Sequence, residues 1–301
     1  MNLEKIINLV NGNNIPYKLN EPLSKHTTFK IGGNADLFLS PKRLDEFKNI
    51  INLCKEEKVK FFILGKGSNI LVSDKGFNGV IICTNNLNSI EIINDEKLIV
   101  GAGTNLSKVC TLAYNNCLSG LEFAYGIPGT IGGAVYMNAG AYCGEMKDVV
   151  IETTFINEMG QIETINSKEH LFSYRKSVFS NRNICILSTI LKLKTENKEK
   201  IKLIMNEISN KRLEKQPLEY PSAGSVFKRP EGFYTGKLIE DCGLKGFIVG
   251  GAMVSEKHCG FIINTGKACC SDVEQLIEII KQKVFLFSGV SLEIEILKIG
   301  E

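Results

Sequence analysis

Apolar residues recur every three to four positions in several segments of the chain, which is the spacing of an amphipathic helix. This spacing predicts helices that begin at Asn2, Ser40, Thr104, Asn197, Thr235 and Ser271. Pro41 is expected at the first helical position, Ser271 and Glu274 are expected to form a capping box, and Gly289 is expected to end the last helix. On the helix of residues 197–216 we expect five residues to face inward: Ile201, Ile204, Met205, Ile208 and Leu213.

Short apolar runs and alternating segments between these helices predict β-strands. Thr27, Phe29 and Ile31 suggest a strand ahead of Gly32-Gly33, and the alternation over residues 291–299 predicts a last strand. Further strands are expected at residues 59–64, 98–100, 149–156, 161–165, 184–193, 247–254 and 261–264. The basic, helical segment that starts at residue 197 is where we place a domain boundary.

The stretch from Ala124 to Gly144, AYGIPGTIGGAVYMNAGAYCG, contains six glycines and no charged side chain. It is long enough for a membrane helix, but the glycines, Pro128 and Asn138 argue against that interpretation. Glycine lets the backbone approach a ligand closely, and clustered backbone N–H groups can hold a pyrophosphate. A buried structural loop is the other interpretation of this stretch.

Two predicted strands run into glycine-containing turns, GKGSN at Gly65–Asn69 and GAGTN at Gly101–Asn105. Neither turn completes the Rossmann pattern, because Ile70 and Leu106 occupy the position of the third glycine. Neither is a Walker A loop, because no lysine followed by Ser or Thr stands at the required spacing. GKGSN supplies N–H groups, a hydroxyl and an amide that suit a phosphate, although taken alone it is more often an ordinary turn.

Composition narrows the class of protein. The chain has 301 residues, of which 44% are hydrophobic and 23% charged, so it can bury a sizeable core. A net charge of +3 argues against broad coating of nucleic acid but leaves room for a local basic pocket. Ten cysteines without a CxxC pair and only three histidines give no zinc pattern. The N-terminus lacks a signal-peptide core, and with scattered cysteines this predicts a reducing cytoplasm.

Several polar residues are candidates for chemistry, and each has an ordinary alternative. Arg175 could be an exposed arginine, Ser225 a turn serine, and Glu295 a residue on a solvated strand face. The basic pair Lys228-Arg229 could meet a phosphate or simply water. The residues by themselves leave these alternatives open.

Six segments, in this order over almost the whole chain, resemble the UDP-N-acetylenolpyruvoylglucosamine reductases, the flavin enzymes that complete UDP-N-acetylmuramate. They are HTTFKIGG, GKGSNILVSDKGF, GIPGTIGGAVYMNAGAYCG, SYRKSVF, PSAGSVFKRP and SLEIEILKIG. Cys143 interrupts the family's AYG in the third segment. The FKRP sequence with Arg229, and the shortness of the chain, resemble the branch that lacks an extra substrate-covering loop.

The resemblance implies an α+β protein with an FAD-binding fold of the vanillyl-alcohol-oxidase type. Residues 1–84 and 85–196 would form two FAD-binding lobes, and residues 197–301 an α/β substrate-binding domain whose last strand returns to the active site. The residues implied to contact FAD are Gly65, Lys66, Gly67, Ser68, Asn69, Gly126, Pro128, Gly129, Thr130, Gly132, Gly133, Asn138 and Gly140.

The resemblance also implies the reaction. Hydride passes from NADPH to FAD and then to the enolpyruvyl β-carbon, Arg175 meets the substrate carboxylate, Ser225 donates the α-proton, and Glu295 pairs with the arginine. Further implied substrate contacts are Tyr174, Lys215, Lys228 and Arg229. The expected partners are the enolpyruvyl sugar nucleotide and NADPH, without nucleic acid, metal or membrane insertion, in a cytoplasmic monomer or weak oligomer.

Two other functions remain as alternatives at this point. One is a different FAD oxidoreductase on the same fold, such as an alcohol oxidase. The other is a sugar-nucleotide binder without enzymatic activity and with a vacant flavin site.

Overall fold

A computed structural model describes residues 3–142 and 144–300 of the chain, so Cys143 and the expected helix start at Asn2 lie outside the described residues. The chain divides into two compact units. The first unit consists of Met1–Leu19, Leu37–Lys66 and Gly79–Lys211, and the second consists of Asn20–Asp36, Gly67–Asn78 and Arg212–Glu301. The chain therefore crosses between the units several times, whereas the three predicted domains were continuous, and the boundaries of those domains stay predictions.

The helices follow the predicted periodicity closely in position. The α-helices of the described residues are α1 (Leu3–Gly12), α2 (Leu44–Glu56), α3 (Leu106–Asn115), α4 (Ile131–Tyr136), α5 (Lys198–Lys215), α6 (Thr235–Asp241) and α7 (Cys270–Ser288). Short 3₁₀ helices occupy Leu23–Lys25, Glu122–Ala124 and Met146–Asp148. The helix α4, which lies within the glycine-rich stretch, was not predicted.

The strands are short and mostly lie where alternation predicted them. They are β1 (Tyr17–Pro22), β2 (Asn34–Leu39), β3 (Phe61–Leu64), β4 (Ile70–Val72), β5 (Phe77–Cys83), β6 (Ile90–Asn94), β7 (Lys97–Gly101), β8 (Leu118–Ser119), β9 (Gly140–Ala141), β10 (Gly144–Glu145), β11 (Val150–Ile156), β12 (Ile162–Asn166), β13 (Cys185–Lys192), β14 (Lys194–Thr195), β15 (Ser222–Ser225), β16 (Ile248–Val249), β17 (Ala252–Val254), β18 (Phe261–Asn264) and β19 (Leu297–Ile299).

The first unit is organised around a five-stranded antiparallel sheet of order β12-β11-β13-β7-β6. Successive side chains of a strand point to opposite faces, and β13 uses both. Ile186 and Leu191 lie in one buried cluster with α3 and α4, whereas Cys185 and Leu187 lie in another with α1 and α2. Strands β1, β2, β5 and β3 form a second sheet, in which β3 and β5 are parallel.

The second unit contains an antiparallel sheet of order β15-β18-β17-β16 and a parallel pair, β4 with β19. The predicted inward face of α7 is buried in the core of this unit, as the residues Val273, Leu276, Ile277, Ile280 and Val284 show. Gly289 ends α7 in the left-handed conformation, with φ of 72°, and donates its N–H to Phe285 O, which confirms the predicted terminus.

Five local predictions were wrong. Residues 26–31 form turns rather than a strand: the Thr27 hydroxyl donates to Ile31 O, and Lys30 has φ of 55°. The helix α2 starts at Leu44 rather than at Pro41, because the Glu46 carboxylate accepts the N–H groups that precede it.

On α5, Leu213 was expected to face inward but is 59% exposed. Arg212, which is only 6% exposed, is buried instead. Over residues 291–299 only β19 is a strand; ahead of it, Ile294 makes an isolated bridge to Phe227. In addition, the cap of α7 is formed by Cys269 and Asp272 rather than by Ser271 and Glu274.

The nine described cysteines are free thiols, and six of them are buried. Burial raises the pKa of the Cys54 and Cys185 thiols to about 12, so these thiols stay protonated and unreactive at neutral pH. This agrees with the prediction that the thiols act mostly as small core side chains.

The start of α7 yields a stability prediction. Asp74, a residue distant in sequence, accepts the N–H groups of Cys270 at 2.7 Å and of Ser271 at 3.0 Å. Asp74→Ala should lower the free energy of unfolding by about 1–2 kcal/mol, because it leaves two helix-end donors without their acceptor. Denaturant unfolding would measure this. Glu278→Ala, at an exposed position of the same helix, should change stability by less than about 0.5 kcal/mol; equal effects would contradict the assignment.

Candidate active site

Two backbone segments of the first unit, residues 102–106 and 129–132, meet at the start of α4. Leu106 donates its N–H to Gly129 O at 3.0 Å, Ile131 donates to Thr104 O at 2.9 Å, and Gly132 donates to Ala102 O at 2.8 Å. The GAGTN turn and the glycine-rich stretch therefore form one connected piece of backbone, and this piece fixes where α4 begins.

The first half of the GKGSN turn lies against the same place. A β-carbon built on Gly65 would come within 2.5 Å of Thr130 Oγ1, a distance that no real side chain tolerates. Thr130 is the N-cap of α4, and its hydroxyl accepts the N–H of Gly133 at 3.5 Å. Glycine at position 65 is thus required by close approach. The structure brings together two of the predicted pyrophosphate-binding segments at this point.

The surface that these segments present is made largely of backbone. Lys66, Gly126, Pro128 and Gly133 are exposed, and Gly129 is half-buried. Gly132 is buried against Ala102, since a β-carbon on it would lie 2.9 Å from the Ala102 Cβ. Exposed glycine backbone of this kind suits an anionic ligand that must approach closely.

Arg175 is presented by a tight turn in the first unit. Ser173 and Lys176 exchange both backbone hydrogen bonds at 3.1 Å, and Arg175, the third residue of this turn, has φ of 55°. Glycine usually occupies that turn position, and a non-glycine residue there costs roughly 1–3 kcal/mol. Its guanidinium donates to Gly140 O at 3.0 Å and lies 5.0 Å from the centre of the Tyr174 ring.

A cavity of about 320 Å³ opens beside this arginine. Its lining is polar and carries both signs of charge: Gly140, Ala141, Tyr142, Gly144, Glu145, Lys147, Asp148 and Arg175. Within it, the Glu145 carboxylate pairs with Lys147 Nζ at 2.8 Å. Burial raises the pKa of the Glu145 carboxyl, but hydrogen bonds from Lys147 and Asn138, with the charges of Lys147 and Arg175, outweigh burial and hold that pKa below its usual range.

Asn138, one of the residues that the resemblance assigns to FAD binding, is buried in the first unit. Its side chain is 0% exposed. Its amide nitrogen donates to Glu145 Oε2 at 2.9 Å and to Ser173 O at 3.0 Å, and its amide oxygen accepts the N–H of Lys147 at 2.9 Å. The side chain is enclosed by protein on these contacts, and a contact of Asn138 with FAD stays a prediction.

In the second unit, Ser225 is the last residue of β15, and the register of β15 against β18 shifts between Ser222 and Ser225. It stands opposite Phe261 in β18, and its hydroxyl donates to Phe227 O at 3.1 Å. A β-carbon on Gly260 would lie 3.5 Å from Ser225 Oγ and 2.9 Å from His258 Cε1, so a bare glycine separates the serine from this histidine.

The sequence resemblance gave His258 no role. Its Nδ1 accepts the N–H of Gly260 at 3.0 Å, which places the proton of the neutral ring on Nε2. Burial lowers the pKa of the His258 imidazole, so the ring beside Ser225 is uncharged at neutral pH.

Glu295 lies close to Ser225 along the backbone of the second unit. Glu295 donates its N–H to Val226 O at 2.8 Å, and Asn69 donates its amide N–H to Glu295 O at 3.3 Å. The second half of GKGSN is tied to this place as well: Thr28 donates its N–H to Gly67 O at 3.0 Å and its hydroxyl to Ser222 O at 2.7 Å. Thr28 belongs to HTTFKIGG and was not predicted to be part of the site.

The remaining basic candidates of the second unit have different surroundings. Lys228 pairs with Glu293 at 2.9 Å. Arg229 donates to Phe233 O at 3.1 Å, and its guanidinium lies 3.9 Å from the centre of the Tyr234 ring. Lys215 is exposed in the last turn of α5. Their contacts with a substrate stay predictions.

The described residues include neither a metal-binding cluster nor a membrane-spanning helix. Among them, no group of three or more His, Cys, Asp and Glu side chains is arranged to hold a metal ion. In the same part of the chain, none of the helices combines the length and the apolar run needed to cross a bilayer.

Two family models match the chain. The model described as "FAD binding domain" matches residues 35–166. The model described as "UDP-N-acetylenolpyruvoylglucosamine reductase, C-terminal domain" matches residues 216–299.

Curated relatives match over nearly their whole length. A UDP-N-acetylenolpyruvoylglucosamine reductase of Caldanaerobacter subterraneus is 50% identical over 94% of this chain and 93% of its own. The enzyme of the same name from Syntrophomonas wolfei is 47% identical over 94% of this chain and 95% of its own.

Solved structures agree. The crystal structure of UDP-N-acetylenolpyruvylglucosamine reductase from Thermus caldophilus superposes with a TM-score of 0.82 at 33% identity, covering 95% of this chain and 99% of that one. A berberine bridge enzyme variant superposes with a TM-score of 0.50 at 16% identity over 64% of this chain and 43% of that one, which shows a shared fold alone. The fold is the α+β, FAD-binding fold of the vanillyl-alcohol-oxidase type, with the C-terminal domain of the reductase family.

The residues of the first unit fit this cofactor. The approach of Gly65 to Thr130 leaves no room for a β-carbon, and the exposed glycines of the same loops offer N–H groups to a pyrophosphate. These loops therefore have the backbone surface that an FAD pyrophosphate requires.

This fit predicts the effect of one added methyl group. Gly65→Ala should lower the flavin bound per protein several-fold, because the methyl group would strike Thr130 Oγ1 and force the loops apart. The visible flavin absorbance of the purified protein measures this. Gly12→Ala, where a β-carbon meets nothing within 4 Å, is the control.

A second variant separates local packing from general damage. Gly65→Ala/Thr130→Ala removes the hydroxyl that the new methyl group would strike, so part of the flavin content should return. Flavin content of Gly65→Ala equal to that of the unchanged protein would contradict the role given to this contact.

Proposed function

We propose, from the premise that this chain belongs to the UDP-N-acetylenolpyruvoylglucosamine reductase family of FAD-binding oxidoreductases in peptidoglycan synthesis, that it reduces UDP-N-acetylglucosamine enolpyruvate with NADPH. Bound FAD supplies the chemistry that passes a hydride from NADPH to the enolpyruvyl β-carbon. The observation that carries the proposal is the Arg175 turn, whose positive φ presents a guanidinium beside the polar cavity.

Arg175 is proposed to bind the substrate carboxylate. A guanidinium meets a carboxylate through two parallel hydrogen bonds, and addition of hydride to the β-carbon leaves negative charge on the α-carbon and its carboxylate. A fixed cation stabilises that charge as it develops. The backbone cost of the turn is consistent with a residue whose position matters more than local stability.

Ser225 is proposed to deliver a proton from Oγ to the α-carbon. A serine hydroxyl is a weak acid, so the transfer requires a strongly basic carbanion and close positioning. The hydrogen bond from Ser225 Oγ to Phe227 O holds the hydroxyl in one orientation, and the neutral His258 ring adds no charge beside it.

Glu295 is proposed to act on the substrate carboxylate, either by orienting Arg175 or by sharing a proton. The residues proposed to contact FAD are Gly65, Lys66, Gly67, Ser68, Asn69, Gly126, Pro128, Gly129, Thr130, Gly132, Gly133 and Gly140. Tyr174, Lys215, Lys228 and Arg229 are proposed as substrate contacts. A cytoplasmic location and a monomer or weak oligomer stay predictions.

Ser225→Ala tests the proton donor. Anaerobic NADPH should still bleach the flavin at the normal rate, because this step does not use the hydroxyl. Return of the yellow colour on adding the enolpyruvyl sugar nucleotide should slow by about 10²-fold or more, since proton transfer by a positioned side chain contributes about 10²–10⁴-fold.

The unchanged protein gives the reference for this experiment. Bleaching by NADPH and recovery with the enolpyruvyl substrate would support the reaction as a whole. If Ser225→Ala recovers its colour at the unchanged rate, Ser225 is not the donor; if the unchanged protein bleaches but never recovers, the proposed acceptor is wrong.

A further inference from the structure

The Arg175 turn is held by hydrogen bonds to another segment of the first unit, residues 138–147. Asn138 Nδ2 donates to the carbonyl of Ser173, the residue at which the turn starts. The guanidinium of Arg175 donates to Gly140 O, and Gly140 pairs with Glu145 across β9 and β10. Both the start of the turn and the end of the arginine side chain are thus fixed to one short stretch of chain.

Asn138 and Glu145 close these contacts into a ring. Asn138 Nδ2 also donates to Glu145 Oε2 at 2.9 Å, and Asn138 Oδ1 accepts from Lys147 N at 2.9 Å. The ring therefore runs from the turn to Asn138, on to Glu145, across the strand pair to Gly140 and back to the guanidinium. A closed set of contacts restrains position more strongly than any single hydrogen bond does.

Charge strengthens one of the hydrogen bonds in the ring that holds the turn. Glu145 is ionised, and its Oε2 accepts from both Lys147 and Asn138. A carboxylate acceptor gives the Asn138 amide a stronger hydrogen bond than a neutral acceptor would. Asn138 has φ of 43°, a conformation that asparagine adopts more readily than most residues.

We propose that Asn138 and Glu145 are positioning residues for Arg175, which act by holding the turn and the guanidinium in place rather than by contacting FAD. This inference rests on the proposed function, in which Arg175 binds the substrate carboxylate. It assigns Asn138 a role different from the flavin contact that the sequence resemblance implied.

The chain offers a matched control for a test. Asn157 is also buried, at 4% exposure, and its Nδ2 donates to Glu163 Oε1 at 2.6 Å. Its Oδ1 accepts the N–H groups of Met159 and Gln161 in the turn between β11 and β12. Asn138→Asp and Asn157→Asp thus make the same chemical change: each replaces an amide donor by a carboxylate that faces a glutamate.

The kinetic test compares the two variants as flavin-loaded proteins. Asn138→Asp should lower kcat/KM for the enolpyruvyl substrate by about 10- to 100-fold, because small displacements of a binding group cost rates of that order. The rate of flavin reduction by NADPH should stay within about twofold of the unchanged rate, since the amide does not contact the flavin. Asn157→Asp should leave both rates unchanged while losing a comparable amount of thermal stability.

A second readout does not depend on activity. Deuterium exchange at the amides of Ser173 and Lys176 should become faster in Asn138→Asp, because their mutual hydrogen bonds lose the support of the amide. In Asn157→Asp the faster exchange should be confined to residues 157–162. Asn138→Asp/Glu145→Gln gives a glutamine donor to the new carboxylate, so it should recover part of the lost kcat/KM and slow the exchange again.

Two results would overturn the proposal. One is that Asn138→Asp and Asn157→Asp show the same rates of deuterium exchange at Ser173 and Lys176 and the same kcat/KM. The other is a loss of flavin in Asn138→Asp with normal kinetics in the fraction that stays loaded, because that result assigns the amide to the cofactor. If the unchanged protein fails to turn over the enolpyruvyl substrate, the proposed function fails, and the exchange comparison still decides whether Asn138 holds the turn.

Discussion

The close approach of glycine backbone at the start of α4 is the constraint on which the first unit depends. Gly65 lies against the Thr130 hydroxyl, and Gly132 lies against Ala102, in both cases without space for a β-carbon. This contact fixes the start of α4, and a helix of fixed length then fixes its end. Asn138 follows two residues after that end, so the packing of the glycines also sets the place from which the Arg175 turn is held.

The charged side chains around the Arg175 turn contact both charged and uncharged groups. Glu145 meets Lys147, a flexible ammonium at the cavity wall, whereas Arg175 donates to the uncharged carbonyl of Gly140. The cost of the turn at Arg175 is offset by hydrogen bonds that the neighbouring segment supplies, which is how strained residues persist in folded proteins.

Sequence periodicity predicted α5, α6 and α7 well, because burial of one face dictates the spacing of apolar residues. It failed where a hydrogen bond to a distant or unexpected group decides the outcome. Glu46 sets the start of α2, and Asp272 caps α7. The periodicity also failed near the end of α5, where Arg212 takes the inward place expected for Leu213. The motifs identified Arg175, but no pattern in the sequence indicates that Asn138 reaches Ser173, since that contact joins residues 35 positions apart.

The surroundings of Ser225 show why a site of this kind need not contain a strong acid. The hydroxyl is held by a carbonyl, the nearby imidazole is neutral because burial lowers its pKa, and Gly260 keeps the space between them free of a side chain. None of these groups makes the serine more acidic at rest. The driving force for the proposed proton transfer must therefore come from the substrate carbanion, and the proposed contribution of the second unit is to hold the hydroxyl in position.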